Sequence, residues 1–469
     1  MCLLHLLPQS VLDEILCLLT PIDILNLEQV CGQLNAQSTH FWSICTSLGL
    51  SGLSNYNGQK ILQRLNRSLL YSDGVGRLAW PMGTHESPRL QIIDATRFLP
   101  KNCLLRTPLQ GSLLQCCGPN LRSLNLGYSH IELPWLQKLA RRSPNLQDLN
   151  LSNVFICGDS TPPFPNLTDQ DLRALLPYWP RLESLDISGT NRLQLNSVVH
   201  FPRALKVLNI SHLWTRDVPP LHVQQLWMHC YDLSSLTFSW RPALRDIVQP
   251  VVYNLTHLRI DAIYAMASDQ DSQTFLMFVD QQFQYLGRLR RLEVESWLLT
   301  HNLQHFLTQI SRHLCQLDCL VVFTSPLYQA NKLDTLLRHN TATPSALHCL
   351  SKLHHLRHIR LSHYNLAKQI LRICHRLPQL QILNLTGSRL RPLDVANALN
   401  APLKSQATLQ TPPATPLSTS CLQQLIIDDV RIRPDGLLRS EEISRKFPQL
   451  QSLSVHGGVY KLRRPMMLM

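Results

Sequence analysis

Residues 119–151 read PNLRSLNLGYSHIELPWLQKLARRSPNLQDLNL, and one phrase both opens and closes this stretch. Leucines stand at its first, fourth and sixth positions: Leu121, Leu124 and Leu126, then Leu146, Leu149 and Leu151. The two-residue step between the last pair puts both side chains on one side of an extended strand. Between the phrases, Leu133, Leu136 and Leu139 recur at helical spacing, and Pro144 closes that helix before the next strand begins. The unit therefore reads strand, turn, helix, proline and strand again.

Working outward, the phrase begins again at Leu182, Leu205, Leu255, Leu289, Leu317, Leu356, Leu380, Leu422 and Leu450. Many copies carry a further aliphatic residue ten positions on, among them Ile131, Ile156, Leu299 and Leu366. Proline precedes five of them by two residues, at Pro119, Pro144, Pro180, Pro378 and Pro448. The pattern resembles a leucine-rich repeat, whose period is roughly 20–29 residues. The predicted fold class is α/β: a solenoid with a curved parallel sheet on its concave side and helices and loops on its convex side. A degenerate repeat is expected around Leu90 to Leu105. In 221–247 either Val223/Leu226/Met228 or Leu233/Leu236/Phe238 supplies the strand.

Alternation within each strand sends leucines inward and the intervening residues outward. The outward residues are candidates for binding a protein substrate on the concave face. They are Asn125, Tyr128, Asp148, Asn150, Asn153, Asp186, Asn209, His212, Arg291, Glu293, His358, Arg360 and Asp428.

The first 48 residues follow a different rule. Leu12/Ile15/Leu16/Leu19, Leu27/Val30/Cys31/Leu34 and Phe41/Ile44/Cys45/Leu48 each follow the i, i+3, i+4, i+7 spacing of one helical stripe. Thr20-Pro21-Ile22-Asp23 offers an N-cap, a proline at the first helical position and an acid at the third, and Ser38 is read as a cap for a third helix. So short a segment cannot bury three stripes within itself, which leaves apolar surface for a partner.

The run LPQSVLDEILCLLTPIDILNLEQVCGQLNAQSTHFW resembles the F-box, with landmarks Leu7-Pro8, Val11-Leu12, Ile15-Leu16, Leu19-Thr20, Asp23, Leu25, Val30-Cys31 and Trp42. Ser10 stands where an acid is common, and Leu34 where tryptophan often follows Val-Cys. The resemblance divides the chain into a three-helix F-box at 1–50, a linker at 51–88 and the repeats at 89–469. It implies the substrate receptor of a Skp–cullin–F-box ubiquitin ligase. Leu7, Pro8, Leu12, Ile15, Leu16, Leu19, Leu25 and Val30 would be the adaptor-docking positions, and the repeats would hold the target protein. The rival reading is a repeat scaffold with no ligase link.

Composition narrows the remaining classes. The net charge is +13, yet residues 1–59 carry four acids and no Lys or Arg, which leaves +17 on the rest. A basic body favours an acidic protein partner. Its basic residues are dispersed without interleaved aromatics, so nucleic acid is not the expected partner. No apolar run reaches the ~18 residues that would cross a bilayer. The fourteen cysteines are scattered without a C-x-x-C pair, which suits reduced, buried thiols and a cytoplasmic or nuclear location. No phosphate-binding glycine loop, H-E-x-x-H or G-x-S-x-G occurs, so no enzymatic activity is expected. The histidines at 348, 354, 355, 358, 363 and 375 lack company at ligand spacing, so neither metal nor cofactor is expected. The Pro-, Ala- and Thr-rich insertion 391–420 is read as disordered, with Thr411 and Thr415, each followed by proline, as candidate phosphorylation positions.

Overall fold

The computed structural model describes residues 7–71, 90–157, 167–190, 193–213, 220–241, 254–262, 269–299, 303–324, 349–361, 377–386, 421–427, 451–455 and 458–461. The chain divides into two units, Met1–Asp232 and Leu233–Met469.

The first unit opens with helices α1 (Gln9–Leu18), α2 (Pro21–Glu28) and α3 (Gly32–Ile44). The predicted start of α2 is a full capping box: Thr20 Oγ1 accepts the Asp23 N–H, and Asp23 Oδ2 accepts the Thr20 N–H. The second and third apolar stripes are not single helices. The stripe Leu27/Val30/Cys31/Leu34 straddles a break, where Cys31 is extended ahead of α3. The stripe Phe41/Ile44/Cys45/Leu48 runs past the end of α3, so Leu48 lies in strand β1 (Ser47–Gly49). Ser38 is no cap either. It sits inside α3, and its hydroxyl donates to the Leu34 carbonyl at 2.8 Å. Periodicity cannot locate a helix break that leaves the apolar spacing intact.

Strands β2 (Ile92–Asp94), β3 (Ser123–Asn125), β5 (Asp148–Asn150), β7 (Ser184–Asp186) and β8 (Val207–Ile210) join β1 in one parallel sheet. A separate parallel pair joins β4 (His130–Glu132) and β6 (Phe155–Cys157). The register aligns Leu48, Ile93, Leu124, Leu149, Leu185 and Leu208 in one fully buried ladder. Helix α4 (Asn55–Tyr71) lies in the stretch read as a linker and buries Ile61, Leu62 and Leu65. It packs on α5 (Cys103–Cys116), which packs on α6 (Leu133–Arg142), which packs on α7 (Asp169–Leu175). The sheet thus starts at residue 47, ahead of the expected boundary at 89.

Helix α8 (Pro220–His229) and strand β9 (Ser235–Ser239) settle the open register in 221–247: Leu233, Leu236 and Phe238 make the phrase. In the second unit β10 (His257–Asp261), β11 (Arg291–Glu295), β12 (Cys319–Phe323), β13 (His358–Leu361), β14 (Ile382–Asn384), β15 (Gln424–Ile427) and β16 (Ser452–Val455) follow β9 in parallel order. The last strand, β17 (Gly458–Lys461), pairs antiparallel with β16. Within this unit Leu236, Leu258, Leu292, Leu320, Ile359, Leu383 and Leu425 line up in a buried ladder of their own. Helices α9 (Asp269–Gln282) and α10 (Leu303–His313) pack together behind these strands. Phe275, Phe278 and Phe306 fill the interior there, and Trp240 sits 5.2 Å from the Phe275 ring.

Every phrase located in the sequence carries a strand that starts two residues after its first leucine. The α/β leucine-rich-repeat fold is therefore what both units show.

Candidate functional site

Two kinds of surface can hold a partner: the outer side of the helical module, and the face of each sheet opposite its leucine ladder. Side-chain burial divides the module's apolar residues into an inner and an outer set. Leu12, Leu16, Ile24, Leu34 and Trp42 form the interior, with Leu12 only 3% and Leu16 5% exposed. Trp42 Nε1 donates to Glu28 Oε1 at 2.7 Å, and Arg64 of α4 binds the same carboxylate at 3.0 Å. Arg64 also donates to Asn35 Oδ1. This indole–carboxylate–guanidinium junction ties α2 and α3 to the first helix of the repeat body. It is an enclosed charge pair, and such pairs fix geometry more than they add stability.

The outer set is Leu7, Val11, Leu18 and Val30, of which Leu18 is 86% and Val30 63% exposed. Val11, Ile15 and Leu18 follow i, i+4, i+7, a second stripe on α1 beside the buried Leu12 and Leu16. Among the expected docking positions, Leu7, Pro8 and Val30 are exposed and Ile15, Leu19 and Leu25 are partly exposed. Leu12 and Leu16 face inward and hold the helices together. Val11 and Leu18 were absent from the expected set, although their spacing from Ile15 marks them in the sequence.

In the first unit, the expected substrate-binding asparagines have a local role. Asp94, Asn125, Asn150 and Asp186 close their strands and Asn209 stands one residue before the end of β8, and each Oδ1 accepts the N–H two residues on, at 2.8–3.1 Å. Each is an Asx-turn, in which the side chain stands in for a backbone acceptor. One residue further along, the chain turns left-handed at Arg97, Tyr128, Asn153, Gly189 and His212, with φ between 51° and 71°. The turn lets the strand ladder run on past the strands: Tyr128 N–H donates to the Ser152 carbonyl, and Asn153 N–H to that of Ser188. A Cβ at Gly189 would lie 2.2 Å from Asn153 Oδ1, so a larger residue there would have to displace the Asn153 side chain. Tyr128 is exposed, with the Arg97 guanidinium 4.7 Å from its ring centre. Asp148 points outward from β5, and its carboxyl is raised above the usual range by burial and then by the nearby Glu183.

The second unit is built from longer and more charged side chains. Register places His257, Arg291, Cys319 and His358 side by side in one row. Arg259, Glu293, Val321 and Arg360 form the next row, and Asp261 lies beyond Arg259 on its own strand. Arg291 donates to Glu293 Oε1 at 2.6 Å, and Arg259 meets Oε2 of the same carboxylate at 3.5 Å. Arg259 Nε also donates to Asp261 Oδ1 at 2.9 Å, while its guanidinium lies 4.5 Å from the centre of the Phe323 ring. His257 and His358 are both held below the usual imidazole range by burial first and by Arg291 second. Burial, offset in part by Arg291, pushes the Cys319 thiol up to about 11, and its sulfur lies 3.5 Å from His358 Nδ1.

The structure therefore brings together Arg291, Glu293, His358 and Arg360 from the expected set. It adds Arg259, which stands at the phrase position of Glu293 and Arg360, and Asp261 and Phe323, each two residues further along its strand. Asp428, Thr411 and Thr415 lie outside the described residues. Among the described residues there is no group of three or more His, Cys, Asp or Glu that could hold a metal ion. No described helix is long and apolar enough to cross a membrane.

These features define a leucine-rich-repeat protein with a three-helix module ahead of its first strand. No family model and no curated protein matches the chain. Among solved structures it is similar to the leucine-rich repeat-containing protein LegL7 from Legionella pneumophila, with 12% identity and a TM-score of 0.37 over 67% of this chain and 93% of that one. It is also similar to a chain of the yeast Rad7–Elc1 complex, with 15% identity and a TM-score of 0.39 over 83% of this chain and 88% of that one. A third likeness is to the TLR13–ssRNA13 complex, with 14% identity and a TM-score of 0.37 over 90% of this chain and 56% of that one.

Proposed function

We propose that this chain is the substrate-recognition subunit of a Skp–cullin–F-box type ubiquitin ligase. In this reading, α1–α3 dock on a Skp-type adaptor and, through it, on a cullin–RING assembly. The repeats hold a target protein for ubiquitination and degradation. The observation that carries the reading is the outer apolar set of the module. Leu7, Val11, Leu18 and Val30 stay exposed although the module has an interior of its own, as a helix-docking surface requires. The local acidity at Asp13, Glu14, Asp23 and Glu28 fits docking driven by apolar burial.

The receptor would perform no bond chemistry. Its contribution is proximity, raising the effective concentration of target lysines near a charged ubiquitin-conjugating enzyme. The Glu28 junction with Trp42 and Arg64 suits that role, because a fixed module holds the target at a defined reach.

The test is co-precipitation of the adaptor and cullin from cells with wild type and with a Leu18→Asp/Val30→Asp pair. Both substitutions fall on exposed positions, so folding should survive and capture should be lost. Purified adaptor should also shield Cys17 and Cys31 from alkylation while leaving Cys103 and Cys315 reactive, since all four thiols are exposed in the free chain. If wild type captures neither protein, the ligase reading fails and the sheet faces are those of a stand-alone scaffold.

A further inference from the structure

The charged face of the second unit has acids beneath and arginines above. The side chains of Arg259 and Arg291 are 45% and 47% exposed, whereas Glu293 and Asp261 are 14% and 3% exposed. Glu295, fully buried two residues beyond Glu293, accepts the Ala262 N–H. One carboxylate, Glu293, gives an oxygen to each arginine, and Asp261 takes the Arg259 Nε. Those contacts leave Nη2 of Arg259 and Nη1 of Arg291 without a partner among the described residues.

Two guanidinium planes are thus held from below, each with unused N–H donors. Arginine loses much side-chain freedom when it binds an oxyanion, and here the buried acids and the Phe323 ring have already fixed it. The planar fork suits a carboxylate or phosphate, which can take two parallel hydrogen bonds. His257 stands directly beside Arg291, His358 stands one strand further on past Cys319, and Arg360 lies next to Val321. The row nearest the exposed arginines therefore contains no acid other than the partly covered Glu293.

We infer that Arg259 and Arg291 form a clamp for an oxyanion, carboxylate or phosphate, carried on a segment of a protein partner. This rests on the target-binding half of the proposed function and names the chemistry recognised there. Glu293 and Asp261 act as positioning residues, holding the two forks without touching the ligand.

The test uses the full chain and three degenerate peptide libraries of equal length, fixed at their central position as glutamate, phosphothreonine or alanine. Binding is read by fluorescence anisotropy at fixed ionic strength. One or both anionic libraries should bind saturably and the alanine library should not. Preference between the first two tells carboxylate from phosphate. Arg259→Lys and Arg291→Lys keep the charge and the contact to Glu293 but lose the fork, so each should weaken binding about tenfold. Arg288→Gln removes a charge in the same unit from a residue that donates to Asn254, and should leave affinity within about twofold, as a distant rim charge does. The inference is overturned if neither anionic library outbinds alanine, if the lysine variants bind like wild type, or if Arg288→Gln loses as much. Adaptor capture involves other residues, so its failure and the failure of peptide binding are separate results.

Discussion

Alanine at Gly58 and alanine at Gly111 should move stability in opposite directions. Both glycines lie inside helices of the first unit, Gly58 in α4 and Gly111 in α5. On propensity alone each substitution should stabilise by up to about 1 kcal/mol, because glycine costs a helix about that much. Their surroundings differ. A Cβ at Gly58 would lie 2.1 Å from Cε2 and 2.5 Å from Cζ of Phe98, whereas a Cβ at Gly111 meets nothing within 4 Å. To restore ordinary carbon–carbon contact the ring must retreat by roughly 1.5 Å, and Phe98 is buried among packed neighbours. Overpacking costs about 1–3 kcal/mol, and a displacement this large falls in the upper part of that range, about 2–3 kcal/mol. Set against the helix gain, Gly58→Ala should lose about 1–2 kcal/mol, a fall of roughly 2–8 °C in the melting of this unit. Gly111→Ala should be neutral or gain a degree or two. Thermal unfolding followed by tryptophan fluorescence reads both. The packing of α4 against the first repeat is wrong if Gly58→Ala melts at or above wild type.

Three further outcomes follow from the geometry. Glu28→Gln weakens the contacts to Trp42 Nε1 and Arg64 together; it should cost about 2 kcal/mol and speed proteolysis within α1–α3, and unchanged cleavage would remove the junction's role. Asn150→Ala leaves the Ser152 N–H without its acceptor, so stability should fall by about 1 kcal/mol while peptide binding by the second unit stays intact; loss of binding with no loss of stability would make Asn150 a ligand contact instead. His257 and His358 have lowered imidazole values in the folded chain, so the unfolded chain takes up their protons first as pH falls. Their contribution is present above about pH 6.5 and is lost as pH drops through the lowered folded values. Melting temperature should therefore fall between pH 7 and pH 5, and the slope should flatten in a His257→Gln/His358→Gln variant. His130 in the first unit adds a shift of the same sign, and a pH-independent melting temperature would count against all three.

The architecture was legible in the sequence because it is a periodic, local property. A leucine two residues from another on a strand must share its face, and eleven repetitions of one phrase leave one way to bury them. The capping box at Thr20 could be read for the same reason, since its partners lie within one helical turn. Apolar spacing could not show which stripe turns inward: Leu12 and Leu16 fit the pattern as well as Val11 and Leu18, and only packing against α3 separates them. Nor could it show that Leu48 leaves the helix for the first strand, because that choice depends on pairing with Ile92–Asp94, more than forty residues away. The asparagines looked like ligand donors because a side-chain oxygen carries no mark of its partner, and tertiary structure assigns each one to a turn. Arg259 and Arg291 share a carboxylate only because two repeats stand in register, so the clamp they form is a property of the fold.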